Sequence, residues 1–583
     1  MVSPSITGFV SNIPEVIYDY IGHMTSTETI IFDIAIILII STIFAFIARL
    51  LKQPLIPAYI LTGLVLGPTV FGFVQNMELI TAFSEIGIAL LLFFAGIEIS
   101  FKKIKEANLK KILFIGTFQV AIIFFLVFFL RDFLGLNTLQ AGYFGMIMAF
   151  GSTMVDIKIL SERRELVTLH GRLVLGILLL EDLIAIASII FFTAGEFIFV
   201  PIAVAFAKLL GIIIFAVFLQ RFVLDRIFKF AAKSTEILLL TSLGVLFIFI
   251  ILSFLAELSI VIGAFIAGVS LANSPFKIEL ESRISSLRDF FAILFFVALG
   301  TQIIFKGLLA NLLLLGVILI VAFIIKPIIS FILLRIAGYR PKTSFFTAIS
   351  LAHLSEFALI IGMLGVTLGA IEASLFSVII LGTIITMSVT PYLINYKEWF
   401  YKIFSYPLSV FKFLPIKENL EYGHEDDKEV ILIGAHRMGS VLLKELLKKK
   451  EKLLVIDYNP EIINELINNK ISCIYGDITS SEVLNKVSSK KLRKVISTVP
   501  NYEDNLLLLK VIKGISPHIK VIVTGSRISE ANKLYEAGAD YVITPKISAG
   551  HEVTNLIRLN NPDFKRAKIK HIKRLKEIHN LLY

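Results

Sequence analysis

Two adjacent carboxylates, Glu181 and Asp182, lie in the middle of the apolar run from residue 171 to residue 194. The run is long enough to cross a bilayer, because about 20 apolar residues span about 30 Å of hydrocarbon. An ionisable side chain at that depth is expensive, so it usually faces a bundle interior, a proton relay or an ion path. A buried carboxylate can hold a proton or a cation, and the two compete for it. The pair therefore predicts proton-coupled ion chemistry inside a membrane.

Lys326 is a further intramembrane charge, in the apolar run VAFIIKPIISFILL. A lysine buried there needs a counter-charge, although a lysine side chain can also extend to the membrane interface. Neighbouring residues on a helix point about 100° apart, so Glu181 and Asp182 can serve different partners. We expect Glu181 to face Lys326, and Asp182 to bind the cation and carry the proton.

Two other apolar spans are interrupted by small and polar residues. The span 139–160 contains Gly151, Ser152, Thr153 and Asp156, and the span 344–368 contains Ser350, His353, Ser355 and Glu356. Such interruptions are typical of broken helices whose free backbone groups line an ion site, and also of close helix packing at small residues. The hydroxyls of Ser152 and Thr153 suit a hard cation. Asp156 and Glu356 are further candidate ligands, although Asp156 can instead serve the cytoplasmic end of its helix.

Composition divides the chain into a membrane part and a soluble part. Of the 583 residues, 56% are hydrophobic and 17% are charged, which is too apolar for an ordinary soluble protein. We expect a membrane domain over 1–395, a linker over 396–427, a nucleotide-binding α/β domain over 428–545, and a C-terminal helix with a basic tail over 546–583. The single cysteine, Cys473, excludes an intramolecular disulfide. The net charge of +11 requires no nucleic-acid partner, because basic loops on one membrane face also produce it.

About thirteen apolar segments are predicted to cross the membrane. They are 29–49, 55–74, 79–100, 112–130, 139–160, 172–194, 197–219, 236–256, 258–273, 289–305, 309–334, 344–368 and 373–395. Lysine and arginine concentrate in alternate loops, whereas the other loops contain only Arg131 and Lys306. By the positive-inside rule, this asymmetry places the N-terminus outside and the soluble domain in the cytoplasm.

The membrane part resembles the Kef-type monovalent cation:proton antiporters. The likeness is carried, in collinear order, by IPAYILTGLVLGP (56–68), SEIGIALLLFFAGIEIS (84–100), FGSTMVDIKILSERRELVTLHGRLVLGILLLEDLIAI (150–186), FFVALG (295–300), the lysine of IIKPII, and SLAHLSEFAL (350–359). The resemblance implies a polytopic α-helical fold with inverted repeats and crossed broken helices, as in NhaA- and NapA-like antiporters. It also implies a transporter rather than an enzyme, and a homodimer in a prokaryotic plasma membrane. Its elevator-like core would be spans four to six and eleven to thirteen.

The chain departs from this family at two places. Kef-type transporters commonly carry Gln-Asp where this chain has Glu181 and Asp182, and Q-G-G-E-F where it has His353 to Phe357. The first departure makes the site similar to the paired-carboxylate antiporters, whose additional acid pairs with the lysine. If that pair releases, two protons would move per cation and transport would be electrogenic.

The soluble part begins as strand, turn, helix and strand in EVILIGAHRMGSVLLKELLKKKEKLLVIDYNP (429–460). This order predicts a doubly wound, Rossmann-like parallel sheet with its ligand at a helix N-terminus. Gly434 and Gly439 fit the first and last positions of G-x-G-x-x-G, and Asp457 ends the second strand, where a ribose-binding acid belongs. The turn between the glycines holds His436, Arg437 and Met438.

This soluble part is similar to the TrkA-type, or RCK (regulator of K⁺ conductance), nucleotide-binding domain over roughly residues 428–545. That family also has an acid after its third strand, here Asp477. His436 replaces the middle glycine and would crowd a pyrophosphate. This pattern therefore favours AMP as the regulatory ligand. NAD(H) and a purely structural pocket are the alternatives.

These residues suit either K⁺ or Na⁺ as the transported cation. The attached domain favours K⁺ by family association, whereas the paired acids also suit Na⁺ with electrogenic coupling. A different class is an RCK-gated K⁺ channel, because Thr69 to Phe73 resembles the T-V-G-Y-G filter. The glycine of that segment is displaced, and thirteen spans are too many for a simple pore, so the prediction is an antiporter.

Overall fold

The computed structural model describes two compact units. The described residues are 26–74, 76–98, 109–163, 165–193, 199–272, 274–305, 309–408, 414–416, 420–423, 428–476, 491–557, 563–569 and 571–572. One unit lies within 1–163 and 172–415, and the other within 164–171 and 416–583. The short segment 164–171 therefore belongs to the second unit, although the chain on both sides of it belongs to the first.

The first unit is a helical bundle, with helices numbered α1 to α19 in chain order. They are α1 (Ser26–Leu50), α2 (Leu55–Leu66), α3 (Met77–Glu98), α4 (Leu109–Phe129), α5 (Arg131–Leu134), α6 (Thr138–Ala149), α7 (Thr153–Glu162), α8 (Leu169–Thr193), α9 (Phe199–Leu219), α10 (Asp225–Ala231), α11 (Thr235–Leu255), α12 (Ile260–Leu271), α13 (Lys277–Thr301), α14 (Leu312–Ile320), α15 (Lys326–Ile336), α16 (Pro341–Ser350), α17 (Glu356–Thr367), α18 (Ala373–Asn395) and α19 (Lys397–Leu408). Most are apolar on every face, which is typical of helices buried in a bundle or a membrane.

Nine helical stretches in the described part of the chain are long and apolar enough to cross a membrane. Three further apolar helices, α2, α12 and α17, have only 12 residues each and so rise about 18 Å, less than a bilayer core. The 25-residue α8 accounts for the remaining predicted segment. The polytopic helical architecture predicted from the sequence is confirmed, with several spans that are short or interrupted.

The helices of the first unit pack in two groups. In the first group, α2 and α3 pack against α13, and α3 and α11 pack against α12. In the second group, α4 packs against α6 and α15, α6 against α17, and α18 against α14 and α17. The second group also includes α7, which packs against α18. It includes α8 as well, because α8 approaches α4 closely: a Cβ at Gly116 of α4 would lie 2.7 Å from Leu180 Cδ2 of α8.

The helix that carries Lys326 changes its geometry at that residue. A π-helical turn, Val321–Ile325, follows α14, and α15 begins at Lys326. Pro327 has no backbone N–H, and its ring crowds the carbonyl group four residues earlier, so the regular hydrogen-bond ladder breaks in that turn. The lysine thus occupies an irregular point of a long apolar helix, and it is completely buried.

The second unit is built on a seven-stranded sheet in the order β1-β4-β3-β2-β5-β6-β7. The strands and helices are β1 (Glu421–Tyr422), β2 (Val430–Ile433), α20 (Arg437–Lys448), β3 (Leu453–Asp457), α21 (Pro460–Asn468), β4 (Cys473–Tyr475), β5 (Lys494–Ser497), α22 (Tyr502–Ile515), β6 (Lys520–Thr524), α23 (Ile528–Glu536), β7 (Tyr541–Ile543) and α24 (Pro545–Ile557). Neighbouring strands are parallel except β1 and β4. The predicted doubly wound sheet is confirmed, and its strand order reverses at β2, between β3 and β5.

The segment 164–171 is joined to the second unit through Leu169. Its backbone N–H donates to the Tyr475 hydroxyl at the end of β4 (2.9 Å), and its side chain packs against the apolar core beside β2 and β3. Within the segment, His170 Nε2 lies 3.0 Å from Glu165 Oε2.

Cys473 is expected to resist thiol reagents in the folded protein. It lies on β4 without solvent exposure, and burial raises the pKa of its thiol to about 11. Because the thiolate is the reacting form, roughly one thiol in a thousand is ionised at pH 8. A disulfide reagent at pH 8 should modify the folded chain far more slowly than the denatured chain. Equal rates in buffer and in denaturant would contradict this burial.

Candidate ion-binding site

Two helices of the first unit are interrupted near their middles. Residues 150–152 separate α6 from α7, and residues 351–355 separate α16 from α17. Ser152 and Ser355 are the N-caps of α7 and α17, and the side chain of each accepts a backbone N–H group from the first turn of its own helix. The interruptions predicted in these two spans are confirmed, and they leave backbone groups inside the bundle that the helices themselves cannot pair.

Glu181 and Lys326 form an ion pair without solvent exposure. The Lys326 Nζ lies 3.4 Å from Glu181 Oε2. The same carboxylate oxygen accepts the backbone N–H of Gly151 at 2.6 Å. The pair therefore joins α8 and α15 to the break between α6 and α7. Glu181 is the acid that we expected from the sequence to face Lys326.

The other oxygen of Glu181 has partners that sequence reasoning missed. Gln119 of α4 donates from Nε2 to Glu181 Oε1, and Ser330 donates to Gln119 Oε1 at 2.5 Å. All three side chains are buried, and buried polar groups need such partners. A lone glutamine in the apolar run LKKILFIGTFQVAIIFFLVFF is the signal that could have revealed it.

Asp182 contacts a different set of residues. The hydroxyl of Thr153, at the start of α7, donates to Asp182 Oδ2 at 2.6 Å. Thr153, Asp182 and Glu356 are the polar residues around a cavity of about 40 Å³. One water molecule needs about 10–15 Å³ of such volume, so the cavity has room for a monovalent cation with one or two waters. Carboxylate and hydroxyl oxygens are ligands that suit such a hard cation.

The cavity lies between the two packing groups of helices. Leu91 and Phe94 of α3 and Phe265 of α12 form one wall, and the polar residues of α7, α8 and α17 form the other. The first group contributes only apolar side chains among the described residues around the cavity. The side-chain oxygens available to a cation therefore all belong to the second group.

The remaining candidates, Glu356 and Asp156, have different surroundings. Glu356 is 7% exposed, lines the cavity and interacts with the side chain of Ser152. Asp156 is absent from the described lining of the cavity. Its Oδ1 lies 3.4 Å from His353 Nε2, and neither side chain is exposed to solvent. Sequence reasoning treated His353 as a departure from related sequences and did not place it beside Asp156.

Gly434 and Gly439 shape the turn between β2 and α20. Gly434 has a φ of +81°, which favours glycine, and a Cβ at Gly439 would lie 1.9 Å from the Gly434 carbonyl oxygen. The backbone of the turn therefore requires both glycines, with or without a ligand. His436, the N-cap of α20, is exposed, and Arg437 and Met438 begin the helix.

Asp457 ends β3 beside this turn and is engaged by the backbone. Its two carboxylate oxygens accept the N–H groups of Ala435 (2.7 Å) and Asn459 (2.8 Å). Burial raises the pKa of the Asp457 carboxyl, while these hydrogen bonds act in the opposite direction. The acid thus supports the glycine turn, and a ribose would have to share its oxygens. Asp477, the other candidate acid, lies outside the described residues.

Two family models match the two parts of the chain. Residues 34–395 match the transmembrane sodium/hydrogen exchanger, and residues 430–545 match the TrkA-N domain. The glutathione-regulated potassium-efflux system protein KefC of Escherichia fergusonii is 28% identical over 494 residues, which cover 83% of this chain and 77% of that protein. KefC of Escherichia coli strain K12 is 27% identical over 496 residues, with the same two shares.

A solved structure resembles the first unit. It is the sodium proton antiporter MjNhaP1 from Methanocaldococcus jannaschii, with a TM-score of 0.51 and 19% identity, and the match covers 66% of this chain and 99% of that chain. At this identity the likeness concerns the fold alone. Thr69 to Phe73, which resembled a channel filter, lie inside the region that matches the exchanger model.

Proposed function

Because the chain belongs to the sodium/hydrogen exchanger family and carries a TrkA-N domain, we propose that it exchanges a monovalent cation for protons at the cavity beside Asp182. The protein is a Kef-type cation:proton antiporter, and so a transporter rather than an enzyme. The observation that carries the proposed site is the 2.6 Å contact between Asp182 and Thr153, at the break of an interrupted helix and beside a cavity of ionic size.

The exchange follows from competition at one carboxylate. Ionised Asp182 binds the cation together with the oxygens of Thr153 and Glu356, and Ser152 supports Glu356 from the same break. When Asp182 takes up a proton, it loses the charge that held the cation, and the cation leaves. Asp182 therefore alternates between the two substrates.

Glu181 and Lys326 would set the charge balance of the exchange. While the ion pair is closed, the lysine charge is compensated inside the bundle. If a proton on Glu181 opens the pair in each cycle, two protons move per monovalent cation and transport is electrogenic. Currents from the protein on a supported membrane, driven by a cation jump, should then reveal net charge movement. A cation-driven proton flux without any current would reject this coupling.

K⁺ is the favoured cation, and Na⁺ is the alternative. The KefC proteins that this chain resembles over 83% of its length are potassium-efflux systems by name, whereas MjNhaP1 is a sodium proton antiporter. The paired acids Glu181 and Asp182 also suit Na⁺. The match of residues 34–395 to the exchanger model favours either antiporter over a nucleotide-gated K⁺ channel.

Alternating access would use the two packing groups of helices as separate bodies. All polar side chains described around the cavity belong to the second group, whereas the facing wall on α3 and α12 is apolar. An apolar wall allows the second group to slide as an elevator without breaking hydrogen bonds at the cavity. The first group would then form the scaffold of a homodimer in a prokaryotic plasma membrane, with the N-terminus outside and the second unit in the cytoplasm.

The second unit would regulate exchange by binding a nucleotide, AMP or NAD(H). The glycine turn after β2 lies at the reversal of strand order, where doubly wound sheets bind ligands. His436 and Asp457 flank that turn.

Reconstituted exchange tests the proposed function directly. Proteoliposomes holding the full chain and an internal pH dye are given a pH gradient, followed by K⁺, Na⁺ or choline, with and without AMP or NADH on the side of the second unit. We expect K⁺ to dissipate the gradient at lower concentration than Na⁺, and choline to have no effect. Gradients that neither K⁺ nor Na⁺ dissipates would overturn the proposal.

Gly151 is expected to tolerate no side chain. A Cβ there would lie 2.9 Å from Leu178 Cδ2, 3.1 Å from Lys326 Nζ and 3.4 Å from Glu181 Oε2. A methyl group would push the lysine from the carboxylate, so Gly151→Ala should lower the exchange rate about tenfold or more. Gly142→Ala, whose Cβ would meet a Phe192 ring carbon at 3.8 Å, is the matched control and should exchange normally. Equal rates in the two variants would contradict this geometry.

A further inference from the structure

His353 lies in the break between α16 and α17, and its ring contacts the other interrupted helix at two atoms. Its Nδ1 accepts the backbone N–H of Ser152 at 2.9 Å. Its Nε2 lies 3.4 Å from Asp156 Oδ1. The side chains of all three residues are without solvent exposure. One imidazole therefore joins the two interrupted helices.

The hydrogen bond from Ser152 determines the tautomer of the ring. A neutral imidazole accepts at one nitrogen and donates from the other. Because Nδ1 of His353 accepts, the ring proton is on Nε2, the nitrogen that faces Asp156. The ring thus accepts a hydrogen bond from the N-cap of α7 at 2.9 Å, and its N–H faces Asp156 in the first turn of α7 at the longer distance of 3.4 Å.

Ser152 depends on this acceptor. Its N–H group lies in the break after α6, inside a bundle where an unpaired backbone group is strongly unfavourable. Ser152 is also the N-cap of α7, and the next residue, Thr153, donates to Asp182. The direction of the Thr153 hydroxyl therefore depends on how Ser152 is held.

Asp156 is placed to accept from His353 rather than to bind the cation. It is absent from the described lining of the cavity, where Asp182 and Glu356 are found. Both of its oxygens are buried and have no hydrogen-bond partner within standard geometry among the described residues, and His353 Nε2 lies 3.4 Å from Oδ1.

We propose that His353 is a positioning residue of the exchange site. By accepting from Ser152 and directing its Nε2–H toward Asp156, it ties the two helix breaks together and holds Thr153 against Asp182. Asp156 serves the imidazole as its acceptor and does not coordinate the cation. This proposal rests on the proposed function, because it concerns the exchange site at Asp182.

Substitutions that keep or remove the two hydrogen bonds test the proposal. Glutamine at 353 can offer an oxygen to Ser152 and an N–H to Asp156, whereas alanine offers neither. His353→Ala should raise the KM for the cation and lower the maximal exchange rate, so that the ratio of maximal rate to KM falls about tenfold or more. His353→Gln should recover most of that loss. Asp156→Asn keeps an oxygen acceptor and should retain most of its exchange, whereas Asp156→Ala should resemble His353→Ala. The double variant His353→Ala/Asp156→Ala should be no worse than His353→Ala, because both remove one linkage.

The exchange rates of all these variants are compared in proteoliposomes that hold the full chain. The proposal is overturned if His353→Ala keeps the wild-type KM and rate, if His353→Gln is folded but recovers nothing, or if Asp156→Asn is as inactive as Asp156→Ala. Melting temperature and size-exclusion chromatography identify variants that fail to fold, and if His353→Gln is among them, the two Asp156 variants decide. A wild-type protein that exchanges no cation would reject the proposed function itself, which is a distinct result from an active wild type with an unchanged His353→Ala.

Discussion

Asp182→Asn should abolish cation-driven proton exchange while leaving the protein folded. Asparagine has nearly the same shape, and its side-chain oxygen can still accept the Thr153 hydroxyl that now donates to Asp182 at 2.6 Å. It cannot ionise, so it can neither release a proton to an arriving cation nor balance the charge of a bound one. The exchange rate in proteoliposomes should fall about a hundredfold or more.

A matched control separates this effect from a general loss of charge. Asp132→Asn removes an aspartate of the same helical unit whose side chain is 90% exposed, so its rate should equal that of the wild type. The melting temperature of both variants in detergent should stay close to that of the wild type. Exchange that persists in folded Asp182→Asn would remove Asp182 from the role of transport acid.

Lys326→Met should strongly destabilise the protein. The lysine is 3.4 Å from Glu181 and both side chains have no solvent exposure, so its removal leaves a buried carboxylate without its counter-charge. Such a loss typically costs about 3–5 kcal/mol. The melting temperature should fall sharply, and adding Glu181→Gln to the same chain should restore much of it, because a neutral amide can still bond to Gly151 and Gln119.

Another lysine in an apolar helix provides the control. Lys208 of α9 also has an acidic partner, Glu257 at 2.6 Å, but the two side chains are 35% and 84% exposed. Lys208→Met should therefore leave the melting temperature nearly unchanged, because water screens an exposed pair. A Lys326→Met protein as stable as Lys208→Met, or a double variant no more stable than Lys326→Met alone, would show that the buried pair lacks the coupling described.

The features that the sequence predicted are those that depend on local pattern or on one strong physical demand. Runs of apolar residues predicted the spans, and short Val- and Ile-rich strands with a glycine turn predicted the parallel sheet. The ion pair was predictable because a lysine inside the membrane needs a carboxylate as its counter-charge, and Glu181 and Asp182 are adjacent carboxylates in the middle of another apolar run.

The features that the sequence did not predict depend on which distant elements meet. Gln119 reaches Glu181 from α4 and Ser330 reaches Gln119 from α15, and no pattern near any of these residues indicates the others. His353 acquires its importance only when the two helix breaks come together. Within the second unit, the backbone of Leu169 donates to the hydroxyl of Tyr475, 306 positions further along the chain, and no local pattern reveals this contact.

The competition between proton and cation at Asp182 is tested most directly by proton release on cation binding. Purified protein in weakly buffered detergent solution is titrated with KCl or NaCl, with choline chloride as the control, while a pH electrode records released protons. We expect release that saturates together with cation binding in the wild type and is absent in Asp182→Asn. Saturable binding of K⁺ or Na⁺ to the wild type without any released proton would contradict the account.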